Sequence, residues 1–199
     1  MSLRAIAGAF VVLVVLLDHV PARAADDDAV FVSGLAQRTI DVLLSTRSQA
    51  EREAKFHELV DQAFDVPAIA RFVLGPYWRT ATDAQREEFQ KLFETYIVHV
   101  SAVRFGGYSG EQLKVTGSRP EGDKTVFVKS QIVRVGNAPP VNADWRVVKT
   151  DRGLKIVDVI VEGVSMAVTE REEFSSVIQR GGGQVEVLLR ELRERTGQS

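Results

Sequence analysis

Residues 111–134 read EQLKVTGSRPEGDKTVFVKSQIVR. Before them, apolar residues recur at helical spacing; from Glu111 onward the period becomes two. Leu113, Val115 and Gly117 alternate with Gln112, Lys114 and Thr116, which is the signature of a strand. Pro120-Glu121-Gly122-Asp123 is a turn, and a second strand runs from Lys124 to about Arg134. After the loop Gly136-Asn137-Ala138-Pro139-Pro140, Val141, Ala143, Trp145 and Val147 alternate with Asn142, Asp144, Arg146 and Val148. Asp151-Arg152-Gly153 turns the chain again, and Leu154 to Val161 is the last strand. Short polar turns between such strands predict an antiparallel meander.

Helices flank this block on both sides. Ala29 to Leu44 carries Val32, Leu35, Ala36, Ile40, Leu43 and Leu44 on one stripe. Ser48-Gln49-Ala50-Glu51 is a capping box that opens a second helix through Phe56, Leu59, Val60 and Phe64. Asp65-Val66-Pro67 starts a short helix that stops near Leu74-Gly75-Pro76. Thr82-Asp83-Ala84-Gln85 caps the most regular helix, with Phe89, Leu92, Phe93, Tyr96, Ile97, Val100 and Val103 on one face. Beyond the sheet, Thr169-Glu170-Arg171-Glu172 reads as a third box, and Gly181-Gly182-Gly183 separates the last two helices. The fold class is therefore α+β: a four-stranded twisted antiparallel sheet (residues 111–162) wrapped by helices (28–108 and 169–195). A sheet curved around a long helix makes a cone, which either fills with side chains or leaves a cavity.

The first 24 residues belong to a different category. Met1 to Arg4 is a short basic start, Ala5 to Leu17 is apolar throughout, and Ala22-Arg23-Ala24 is an A-x-A cleavage site. This is the layout of a secretory signal peptide, 1–24, leaving a 25–199 domain. The apolar run of 13 residues is short of the roughly 20 that span a bilayer. Removing the leader moves the net charge from −2 to −3. Such a chain lacks the basic excess that a phosphate backbone requires, so nucleic acid is not an expected partner. With no cysteine at all, disulfides, thiolate metal sites and cysteine nucleophiles are excluded.

Catalytic signals are weak. His57 lies in a charged helix and His99 at the polar edge of another, with no H-x-x-x-H or H-x-H pair for zinc. No G-x-S-x-G elbow, S-x-x-K pair or phosphate loop occurs. Glu87-Glu88 and Glu172-Glu173 read as solvated first-turn acids. No catalytic residue and no metal ligand is therefore assigned. The last strand, by contrast, has an apolar surplus. Leu154, Ile156 and Ile160 fall on one face by alternation, and Val157, Val159 and Val161 on the other. A sheet apolar on both sides is covered twice or faces a cavity, and periodicity alone does not distinguish the two. Tyr77-Trp78-Arg79, after a Gly-Pro turn, suits a pocket mouth of amphipathic rings and a cation.

Four motifs, in order, resemble one family. Leu74 to Phe89 is similar to the LG-x-x-(Y/W)-(K/R) … QR-x-x-(F/Y) segment of MlaC-type (toluene-tolerance) proteins. Gly122-Asp123-Lys124-Thr125 resembles their hairpin, and Pro139-Pro140-Val141 with Asp144-Trp145 resembles their PPV-x-x-D-(W/F) strand. Asp158 to Met166, DVIVEGVSM, resembles their D-x-x-x-EGVSM signature. Val115 to Pro120 and Ser176 to Arg180 look more like the branch associated with hopanoid biosynthesis.

The resemblance implies a nuclear-transport-factor-like cone enclosing an apolar lipid cavity. It implies a monomeric periplasmic carrier, not an enzyme, with no cofactor and a lipid as cargo. It implies exchange of phospholipid or hopanoid with the MCE-domain subunit of an inner-membrane ABC transporter and with an outer-membrane lipoprotein complex, maintaining outer-membrane lipid asymmetry. On that reading Leu74, Tyr77, Trp78, Phe89, Phe93, Tyr96, Val128, Trp145, Val159 and Val161 line the pocket, and Arg79 and Ser165 stand at its mouth. Glu162 to Ser165 has a second reading as a structural turn. Two other functions stay open: a periplasmic module with a filled core that binds only protein, and a small-molecule enzyme, which a buried His99 paired with an acid would favour. Export is checked by the N-terminal mass of the periplasmic protein. A chain starting at Ala25 is expected, and one retaining Met1 would contradict cleavage.

Overall fold

The starts of four helices are fixed by single side chains. In a computed structural model, which describes residues 23–198, the expected signal peptide lies outside the described residues except for Arg23 and Ala24, which begin helix α1 (Arg23–Ser45). Ser48 accepts the Glu51 N–H and starts α2 (Gln49–Ala63). Asp65 accepts the Ala68 N–H and starts α3 (Val66–Leu74), followed by a 3-10 turn, Gly75–Arg79. Thr82 and Gln85 form a complete reciprocal box at the start of α4 (Asp83–Arg104). A short 3-10 segment, Phe105–Gly107, then leads into the sheet.

The sheet has order β1-β2-β3-β4-β5, with every pair antiparallel. Its strands are β1 (Gln112–Glu121), β2 (Thr125–Val133), β3 (Val141–Thr150), β4 (Gly153–Val161) and the two-residue β5 (Val164–Ser165). The four alternating segments are thus the four long strands, and β5 is the addition. Glu162 (φ 49°) and Gly163 (φ 81°) are the two-residue turn that joins it. Positive φ at both central positions matches the right-handed twist of a hairpin, and glycine takes it without penalty.

The third capping box is not used. Helix α5 (Met166–Arg180) begins four residues earlier, with Ser165 in place of Thr169 as the cap and accepting the Val168 N–H. Ser165 has no carboxylate three positions on, so the local pattern favoured Thr169. What fixes Ser165 comes from outside the segment. Asp158 of β4 accepts the Ser165 hydroxyl at 2.6 Å and the Ala167 N–H at 3.1 Å. Glu172-Glu173 is therefore displaced from the first turn.

Register explains the surplus of β4. Arg146 faces Asp158, but Val147 faces Ile156, so Val157 is an extra residue, a bulge. A bulge exchanges the faces of the residues beyond it. Leu154 and Ile156 point inward before it; Val159 and Val161 point inward after it. The strand is apolar in both parities because each parity supplies the inner face over part of its length. Double coverage is not required. The outer face carries the row Arg119–Phe127–Arg146–Asp158, with both guanidiniums over the Phe127 ring, at 5.4 and 4.9 Å.

The helices cover the inner face. Phe89, Phe93 and Tyr96 of α4 meet Phe174 of α5 with ring centroids about 6 Å apart, and α6 (Val185–Thr196) closes the side with Val185, Leu188, Leu189 and Leu192. Among the described residues, no helix is long and apolar enough to cross a membrane.

The α5–α6 corner is tight. A Cβ at Gly181 would fall 2.6–2.9 Å from the side chain of Val187. Gly181→Ala is therefore expected to cost about 1–3 kcal/mol by overpacking, measured by urea unfolding; a neutral effect would contradict this packing.

Candidate functional site

The inner sheet face is made of cross-strand rows. Val126, Val147 and Ile156 form the first, and all three are buried. Val128, Trp145 and Val159 form the second, in which Val128 is buried and the other two are half-buried. Ser130, Ala143 and Val161 form the third, in which Val161 is half-buried. Ile132 and Val141 form the fourth, with Leu113 of β1 beside Ile132; all three are half-buried. The first row is thus buried throughout and the fourth half-buried throughout, while between them Val128, Ser130 and Ala143 are buried and Trp145, Val159 and Val161 are half-buried. In α4, Phe89, Phe93 and Ala102 are covered, whereas Val103 in the last turn is 55% exposed. Cover over the sheet is complete at the first row, the narrow end, and partial at the fourth row, the wide end, where Leu113, Ile132 and Val141 remain partly accessible.

The third row contains one buried polar group. Ser130 donates to the Ala143 carbonyl, and the Trp145 indole N–H donates to the Ser130 hydroxyl at 2.9 Å. This satisfies both polar groups and fixes the ring of Trp145 over the sheet, leaving its faces for apolar contact. The sequence reading did not single out Ser130. Its only local signal is a hydroxyl in the inward parity of an apolar strand.

The assigned residues therefore fall into three sets. Val128, Trp145, Val159 and Val161 come together as adjacent rows. Phe89, Phe93 and Tyr96 come together as one ring cluster, completed by Phe174, which the sequence offered only as a helix-core residue. Leu74 is fully buried beside them in the same core. Tyr77, Trp78 and Arg79 sit at the α3–α4 corner. There Arg86 stacks on the Trp78 ring at 5.8 Å and donates to the Trp78 carbonyl at 2.8 Å, while Arg79 is exposed. Ser165 is engaged as the cap of α5.

A concavity of about 460 Å³ lies on the α3–α5 seam beside Phe72, Val168 and Arg171, and one of about 240 Å³ beside Phe64, Lys91 and Lys155. Neither contains an assigned residue.

Both described histidines pair with glutamates across the α2–α4 seam. His99 Nδ1 lies 2.9 Å from Glu53, and His57 Nε2 lies 3.2 Å from Glu94. His99 is 39% exposed, so it is a surface pair rather than the buried dyad an enzyme reading would use. Glu88 and Glu173 are ion-paired with Arg193 and Arg195 of α6. Among the described residues, no group of three or more acids and histidines could hold a metal ion.

A family model described as MlaC protein matches residues 34–194. The chain belongs to the MlaC family. Among its relatives is the intermembrane phospholipid transport system binding protein MlaC of Haemophilus influenzae, 22% identical over 129 residues. That match spans 63% of this MlaC-family chain and 59% of the relative, less than two thirds of the relative's length. A solved structure, the phospholipid-binding protein from Ralstonia solanacearum in complex with a phospholipid, superposes with a TM-score of 0.65 at 25% identity, covering 86% of this chain and 93% of that one.

The family's D-x-x-x-EGVSM stretch has a structural explanation here: the acid, the two-residue turn and the serine together start α5. Asp158→Ala removes two hydrogen bonds to a charged acceptor and is expected to cost about 2–3 kcal/mol. Ser165→Ala, losing the cap, is expected to cost about 1 kcal/mol. Chemical denaturation of both variants checks the order; equal or absent effects would contradict this role.

Proposed function

We propose that this chain is a periplasmic phospholipid carrier that holds acyl chains against the inner sheet face at the wide end of the cone. The observation that carries the reading is the set of half-buried apolar side chains, Trp145, Val159, Val161, Ile132 and Val141, toward one end of the inner face. Apolar side chains held on a rigid sheet, ordered by register and left half-covered, form a surface for hydrocarbon. The phospholipid bound by the Ralstonia solanacearum protein and the transport role named for the Haemophilus influenzae protein support it.

The energetics suit carriage. Two acyl tails hold about 30 methylenes, and shielding them from water is worth on the order of 20 kcal/mol. A bilayer shields them equally well. Transfer between bilayer and protein is therefore nearly balanced, and small changes imposed by a partner set its direction. The partners in this proposal are an MCE-domain subunit of an inner-membrane ABC transporter and an outer-membrane lipoprotein complex, with the carrier acting as a monomer. No bond is made or broken, so no catalytic group is needed.

Native mass spectrometry of periplasmic protein, followed by lipid extraction, tests the proposal. One phospholipid per chain is expected; a hopanoid would select the hopanoid-associated branch. Protein that carries no lipid and takes none from vesicles would overturn the carrier reading in favour of a module that binds only protein. Val161→Asp places a charge at the half-buried position of the third row and is expected to lower lipid load at least about tenfold, because hydrocarbon does not solvate a carboxylate. Unchanged load in the folded variant would move the tails elsewhere.

A further inference from the structure

The concavity of about 460 Å³ on the α3–α5 seam is open to solvent, and none of its lining residues belongs to the inner-face rows. Its apolar part is Phe72 of α3, 41% exposed, and Val168 of α5, 42% exposed. Between the two helices stands Arg171, half-buried. Its guanidinium lies over the Phe72 ring, 5.2 Å from the centroid. It also lies against the backbone of Gly75, where an added Cβ would come within 2.9 Å of Nε. The cation is therefore held at the C-terminal end of α3, where both the ring face and the helix carbonyls favour it.

This cation has no acid. Among the described residues Arg171 is in no ion pair, nor are exposed Arg71, next to Phe72, and exposed Arg180, which donates to the Ser176 hydroxyl. On α6 the arginines are neutralised: Arg193 holds Glu88 and Glu186, and Arg195 holds Glu173 and Glu191. Three unpaired cations and one lining acid, Glu172, thus border an apolar floor. Arginine and aromatic side chains grouped in this way are the composition of binding hot spots. A guanidinium already positioned on a ring loses little freedom on engaging a carboxylate. A bilayer is met by protruding side chains, whereas this surface is concave and suits an inserted peptide segment.

We propose that the α3–α5 groove docks a partner protein through an acidic, amphipathic segment, with an apolar side chain seated between Phe72 and Val168 and a carboxylate paired with Arg171. The inference rests on the carrier reading, in which lipid passes between proteins. Groove and lipid surface share no residue, so a partner seated in the groove leaves the inner-face rows free for the tails.

The test measures binding of lipid-loaded protein to the soluble MCE domain and to the outer-membrane lipoprotein complex by surface plasmon resonance. Val168→Asp and Arg171→Glu are each expected to weaken binding to at least one of them about tenfold or more, with lipid load per chain unchanged. Arg171→Lys, which keeps the charge but not the planar fork, is expected to fall between wild type and Arg171→Glu. Wild-type binding should weaken as salt rises, and Arg171→Glu binding should depend on salt less. Wild-type affinity for both partners in both variants, or lipid-loaded wild-type protein that binds neither partner, would overturn the inference and leave the carrier reading intact. Wild-type binding to phosphatidylglycerol vesicles that is lost in both variants, without loss of either protein partner, would replace the peptide by a lipid surface and overturn it too. Wild-type protein that carries no lipid would overturn the carrier reading itself. Should the variants fail to fold, hydrogen exchange of the wild type decides: slower exchange in α3 and α5 on binding a partner is expected, and its absence with both partners would contradict the groove.

Discussion

One extra residue in β4 organises both the binding surface and the helix that borders it. Val157 has no partner in β3, and the faces of β4 exchange at that point. Without the bulge, Val159 and Val161 would point outward and Asp158 would point into the core. With it, two valines join the inner face at the wide end, and a carboxylate reaches the start of α5. Bulges are known to re-aim side chains near functional sites. Here the same local irregularity sets the apolar rows and anchors the adjoining helix.

The two ends of the cone have different physical roles. At the narrow end Val126, Val147 and Ile156 are sealed under helices, beside the ring cluster of Phe89, Phe93, Tyr96 and Phe174. That packing supplies stability. Toward the wide end the side chains of Trp145, Val159, Val161 and Ile132 are only half-covered. Residues that are half-covered contribute less to folding and more to what they can still bury. The Ser130–Trp145 hydrogen bond reconciles the two demands, because it fixes a large ring without surrounding it.

Much of the fold was legible because its signals are local. Ser48, Asp65 and Thr82 start their helices as their neighbours suggest, and the four long strands match the alternation of residues 112–161. What escaped was non-local. The start of α5 depends on Asp158, seven residues away and across a hairpin, so Thr169 looked like the better cap. Alternation across an unseen bulge made β4 look apolar on two faces when it lines one. β5 has only two residues, too few for any period. The candidate site divides in the same way. Sheet residues were assigned to a shared surface that register then assembled, and the ring cluster matched helical spacing.

The central claim concerns where the hydrocarbon lies. The chain has two tryptophans, Trp78 and Trp145, so Trp78→Phe leaves a single fluorophore in the second row of the sheet. The most direct measurement is quenching of Trp145 by a phospholipid with brominated acyl chains, loaded from vesicles. Strong quenching on loading, absent with the unbrominated lipid, is the predicted result. Stoichiometric loading without quenching would place the tails away from the sheet and contradict the claim.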